Sequence, residues 1–106
     1  MYAIVFDLDT KALEKHYPNS NWRKAYEDIA LFLQDYGFTK QQGSTYFGDS
    51  LVNAISCVTA VQDLSLEFEW LEFCVKDMRM LRIEDNNDLM PAIKKNLRKP
   101  KRRFMA

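Results

Sequence analysis

Tyr2-Ala3-Ile4-Val5-Phe6-Asp7-Leu8-Asp9 reads as a β-strand, and its two faces decide the fold. Tyr2, Ile4, Phe6 and Leu8 line one face, while Ala3 and Val5 begin the other. A strand apolar on both sides must be covered on both sides. In a chain of 106 residues, helices are expected over one face and a second copy of the chain over the other. Downstream, Trp22, Ala25, Tyr26, Ile29, Phe32, Leu33 and Tyr36 recur at helical spacing. They predict an amphipathic helix of about four turns, ended by Gly37. Phe38 to Phe47 predicts two short strands around Gln41-Gln42-Gly43-Ser44. Leu51, Ala54, Ile55, Val58 and Val61 predict a second amphipathic helix, with Leu64 near its end and its turn and N-cap in Gly48-Asp49-Ser50. Val75 to Glu84 predicts a last strand, with Arg79, Leu81 and Ile83 on one face and Met78 and Met80 on the other.

Residues 10–18 read as a polar connector, and Asn86-Asn87-Asp88 as the cap of a short final helix. The order is therefore βαββαβ, the split-βαβ or ferredoxin-like α+β arrangement: an antiparallel sheet with two helices on one face. A short C-terminal helix and a basic tail follow. The division is a domain over residues 1–90, then a helix end and tail over 91–106. This fold carries RNA binders, metal chaperones, sensors and nucleases, so it assigns no function alone.

A 47 % hydrophobic content supports a packed interior and excludes a wholly disordered chain. The longest apolar run, Met1–Phe6, is far short of the ~20 residues of a membrane span, and the acids after it do not suit a secretion signal. Cys57 and Cys74 make no metal-ligand spacing and are expected as reduced thiols. A cytoplasmic protein without a membrane partner is the expectation. Zero net charge hides a division: residues 94–106 carry +7, while the other 93 hold eight bases against fifteen acids, net −7. Lys99, Lys101, Arg102 and Arg103 in that tail either solvate the chain end or search for phosphate at long range.

Asp7 and Asp9, two apart in a strand, are expected on one face, opposite Ile4 and Phe6. Facing a second subunit, such pairs would attract a hard cation such as Mg²⁺; without metal, a crowded carboxylate can move protons. Solvated acids opening a turn remain the plainer reading. Ser44, Thr45 and Tyr46 offer hydroxyls to sugar or phosphate, and Tyr46 or Phe47 a ring to a base; an ordinary hairpin is the commoner meaning. Lys76, Arg79 and Arg82 offer cations to a phosphate chain, and Arg79 can equally pair with Asp77. His16 is the lone histidine, so one subunit cannot run a two-histidine mechanism. No P-loop, GxGxxG, zinc set or GxSxG motif is present, and no organic cofactor is implied.

Three blocks together resemble the VapD family, virulence-associated protein D: Met1-Tyr-Ala-Ile-Val-Phe-Asp-Leu8, Gln42-Gly-Ser-Thr-Tyr46 and Val75-Lys-Asp-Met-Arg79. Glu69 to Leu71 and Glu84-Asp85 also fit the pattern. The resemblance implies a homodimeric, toxin-like endoribonuclease that cleaves single-stranded RNA, messenger RNA first, with a small antitoxin protein as a further partner. It implies Asp7 as the first-strand catalytic acid, Ser44 and Tyr46 as the hairpin site residues, and Arg79 as the last-strand cation. Lys76 and Met78 depart from the arginine and isoleucine of the family's last-strand block. The rival expectation is a non-catalytic dimer that binds RNA or an antitoxin, with Asp7 structural.

Overall fold

The computed structural model of the chain describes residues 1–93; the basic tail lies outside the described residues. The elements are β1 (Tyr2–Leu8), α1 (Thr10–His16), α2 (Lys24–Gln34), β2 (Phe38–Gln42), β3 (Thr45–Gly48), α3 (Ala54–Glu67), α4 (Leu71–Cys74) and β4 (Val75–Arg82). A single 3₁₀ turn, Met90–Ala92, follows. The sheet runs β2-β3-β1-β4 with every neighbouring pair antiparallel. β1 is central, as its two apolar parities require.

Ile4, Phe6 and Leu8 from β1, Tyr46 from β3 and Phe38 from β2 form the floor of the core. Over them lie Ala25, Ile29 and Leu33 of α2, spaced four apart, and Cys57, Ala60 and Leu64 of α3. Gly37 turns the chain out of α2 at φ +90°, where its missing side chain also leaves room for Asp49.

Several local expectations change. Residues 10–16 form a helix rather than a connector, because the Asp9 carboxylate accepts from the Lys11 and Ala12 N–H groups at 3.0 and 3.2 Å. α2 starts at Lys24, later than its aromatic pattern suggests, and ends at Gln34. α3 opens on an Asn53–Ser56 capping box, not on Asp49 or Ser50. It buries Leu64 as expected, but with Cys57 and Ala60, while Ile55 and Val58 are exposed, as is Leu51 ahead of the helix. The buried stripe is rotated by roughly a third of a turn, with a thiol and a methyl serving as core groups. β4 stops at Arg82, and the final helix is one 3₁₀ turn whose Met90 N–H is held by Asp88.

Candidate active site

The sheet face turned away from α2 and α3 is built in rows. Phe47, Ala3 and Leu81 stand side by side across β3, β1 and β4; Thr45, Val5 and Arg79 form the next row. One row further, Asp7 lies directly opposite Asp77. Directly opposed residues of an antiparallel pair point to the same side, so two carboxylates meet at one end of the face. That juxtaposition links positions seventy residues apart, and no spacing rule within β1 would have found Asp77.

Two cations offset the like charges. The Arg79 Nε–H donates to both Asp77 oxygens, at 3.1 and 2.9 Å, and this bond raises the guanidinium pKa further. The pairing skips Lys76, because Asp7 meets Asp77 while Leu8 meets Val75. Such a bulge re-aims a side chain, and the Lys76 ammonium stands 3.9 Å from Asp7. The Asp7 side chain is 66 % exposed, so the site is an open zwitterionic quartet. Exposed pairs of this kind exchange partners readily, leaving both cations able to receive a phosphate.

Of the other expected residues, Ser44 occupies the β2–β3 turn next to Gly43 (φ +50°), and its carbonyl accepts from the Phe6 N–H at 3.2 Å. Ser44 therefore sits beside the Asp7 end of β1. Tyr46 does not join the site. It is wholly buried on the helix-covered face and stacked on Phe6 with ring centres 5.7 Å apart, and burial pushes its phenol up. The reason is strand alternation: Thr45 and Phe47 take the open face, so Tyr46 takes the other. Asp9 does not share a face with Asp7, since β1 ends at Leu8 and the Asp9 carboxylate caps α1. Arg82 pairs with Tyr2 across the ladder and with Glu84 at 3.2 Å, five residues or ~17 Å along β1 from Asp7. The exposed His16 stacks on Phe73 at 4.9 Å. Lys99, Lys101, Arg102 and Arg103 fall outside the described residues.

A metal held by Asp7 and Asp9 does not fit this donor set. One carboxylate is engaged by backbone N–H groups, and Asp77 is held by Arg79. Among the described residues, no three His, Cys, Asp or Glu side chains converge as a metal site. Nor is any described helix long and apolar enough to cross a membrane.

No protein-family model matches the chain. Individual relatives do. The chain is 53 % identical over 94 residues to a Helicobacter pylori protein named endoribonuclease VapD homolog, covering 89 % of this chain and 97 % of that one. It is 50 % identical over 93 residues to endoribonuclease VapD 2 of Riemerella anatipestifer, covering 88 % and 99 %. A second Helicobacter pylori protein, endoribonuclease VapD, is 37 % identical over 95 residues, covering 89 % and 99 %.

Proposed function

The chain belongs to the VapD family, and from that premise we propose that it is an endoribonuclease cutting single-stranded RNA at the Asp7 end of its sheet. The observation that carries this reading is the Asp7–Asp77 pair with Lys76 and Arg79 beside it, solvent-exposed at the end of the central strand. Asp7 takes the proton from a ribose 2′-hydroxyl, and the 2′-oxygen attacks the adjacent phosphorus. The bond to the 5′-oxygen breaks, that oxygen takes a proton from solvent, and a 2′,3′-cyclic phosphate is left. Arg79 turns from Asp77 to the phosphate and stabilises the charge of the phosphorane. Lys76 holds the neighbouring phosphate, and Ser44 hydrogen-bonds the strand beside Phe6.

The open face also carries half-buried Val5 and Phe47 and exposed Leu81 around a buried Ala3. A second copy laid against this apolar centre would form the homodimer and enclose both Asp7 groups in one cleft. Sedimentation of the protein and of Leu81→Arg tests that arrangement: the parent should sediment as a dimer and the variant as a monomer. A toxin-like role in the cytoplasm, restrained by a small antitoxin protein, is part of the same proposal. It predicts that expression slows bacterial growth and that Asp7→Asn does not.

The deciding experiment incubates a defined RNA with the protein and with Asp7→Asn, with and without EDTA, and maps the product ends. Loss of the general base should slow cleavage by about 10²–10⁴-fold while the fold is kept. Cyclic phosphate ends that persist in EDTA support the 2′-hydroxyl route. Unchanged cleavage by Asp7→Asn removes Asp7 from the mechanism and favours the non-catalytic reading.

A further inference from the structure

At the end of the sheet that carries Asp7 lies a groove of ≈ 440 Å³ between the start of α2 and the β2–β3 turn, lined among others by Trp22, Arg23, Tyr26, Lys40 and Ser44. Two half-buried aromatic rings, two exposed cations and a hydroxyl line it, together with Thr10 and Gly43, and no acid does so among the described residues. The Arg23 guanidinium lies 4.5 Å from the centre of the Trp22 ring, which brings positive charge onto a flat surface. Tyr26 is fixed by stacking on Phe6, with ring centres 6.5 Å apart.

The groove and the acid lie at the same end of β1, the groove on the α2 side and Asp7 on the open face. Ser44 forms part of the groove and also accepts the N–H of Phe6, the residue before Asp7. Burial, and then the negative charge of Asp7, push the Tyr26 phenol up, so the two groups sense each other. An aromatic platform with cations and no carboxylate suits an unpaired nucleotide: the base stacks, the phosphate finds the cations, and stacking tolerates any base. Bases inside a duplex are already stacked and cannot enter.

We propose that this groove is the base subsite of the RNA strand. An unpaired ribonucleotide next to the cleaved bond stacks against Trp22 and Tyr26, with its phosphate between Arg23 and Lys40 and its sugar or base edge at the Ser44 hydroxyl. The inference rests on the cleavage reading and deepens it by explaining a preference for single strands.

The test uses the full chain carrying Asp7→Asn and a short single-stranded oligoribonucleotide, read by anisotropy and by tryptophan emission. Trp70 is buried (7 % exposed), so quenching by RNA should come from Trp22 and vanish in Trp22→Phe, which keeps a ring and most of the affinity. Trp22→Ala should bind about tenfold more weakly. The double variant Arg23→Ala with Lys40→Ala removes exposed side chains only; it should bind more weakly and show a shallower salt slope. A duplex of the same sequence should bind without quenching. Affinity within twofold of the parent in the charge variant, or in a folded Trp22→Ala, overturns the subsite, as does equal quenching by the duplex. Cleavage surviving in Asp7→Asn overturns the catalytic reading instead, and leaves the binding result to be judged on its own.

Discussion

Asp7 and Asp9 are the same residue type two positions apart, yet the fold engages them in opposite ways. Asp9 accepts from two backbone N–H groups and holds the first turn of α1. Asp7 stands on the open face against one loosely placed ammonium. The same contrast separates the two faces of the sheet. On the covered face, Ile4, Phe6 and Tyr46 pack beneath α2 and α3, and their environment is fixed. On the open face, Asp7 has only Lys76 and Asp77 only Arg79 as described ion-pair partners, and a substrate can replace them. Substitutions on the covered side should therefore register as stability, and those at the open site as activity.

The largest stability effect should come from the covered side. Leu64 is completely buried in the last turn of α3, and Leu64→Ala should cost about 2–5 kcal/mol in a urea titration. A loss below about 1 kcal/mol would mean that α3 packs more loosely than its burial indicates. The acid pair gives the sharper contrast. Asp9→Ala removes an N-cap and should cost about 1 kcal/mol, with cleavage retained by the folded fraction. Asp7→Asn should do the reverse, keeping the urea midpoint and losing cleavage. If Asp9→Ala abolishes cleavage without loss of stability, the two acids act as one site and the division fails.

The parts of the molecule legible in the sequence are those governed by local periodicity. The two apolar parities of β1 place it centrally, Gly37 marks the end of α2, and alternation in the last strand sorts Arg79 and Leu81 from Met78 and Met80. Local chemistry that competes with periodicity is less legible. Period two carried past Leu8 puts Asp9 beside Asp7, whereas an aspartate just ahead of Ala12 and Leu13 is also a helix-start signal. Reading Ser44, Thr45 and Tyr46 as one hydroxyl cluster overlooks that neighbours in a strand face opposite ways. Spacing of the larger apolar residues misplaces the stripe of α3, because Cys57 and Ala60 are small although a thiol packs as a core group. Asp77 was beyond local reading altogether, since only the β1–β4 register brings it to Asp7. The groove at Trp22 escaped for a similar reason: its lining comes from α2, β2 and the turn between strands.

Smaller effects test how firmly the tyrosines hold the covered side. The Tyr17 hydroxyl donates to Asp28, and its pKa is pushed up to about 12 by burial first and by that bond second. A phenol whose folded pKa exceeds its unfolded value of about 10 gives stability that is complete below pH ~10. That contribution is lost as pH rises towards about 12. Urea midpoints taken between these pH values should fall more steeply for the parent than for Tyr17→Phe, which has no proton to lose there. Equal slopes would mean that neither the burial of the Tyr17 phenol nor its bond to Asp28 favours the folded state over that pH range.

Tyr46 gives the smallest stability change and bears directly on which face holds the chemistry. Its hydroxyl is buried without a hydrogen-bond partner among the described residues, so the oxygen has lost water and gained nothing in return. The ring supplies the packing against Phe6. Tyr46→Phe keeps that ring and should leave stability unchanged or raise it by about 1 kcal/mol. Cleavage should also be unchanged if chemistry belongs to the open face. A variant as stable as the parent but inactive would show that the hydroxyl reaches the RNA, and that the covered face opens during the reaction.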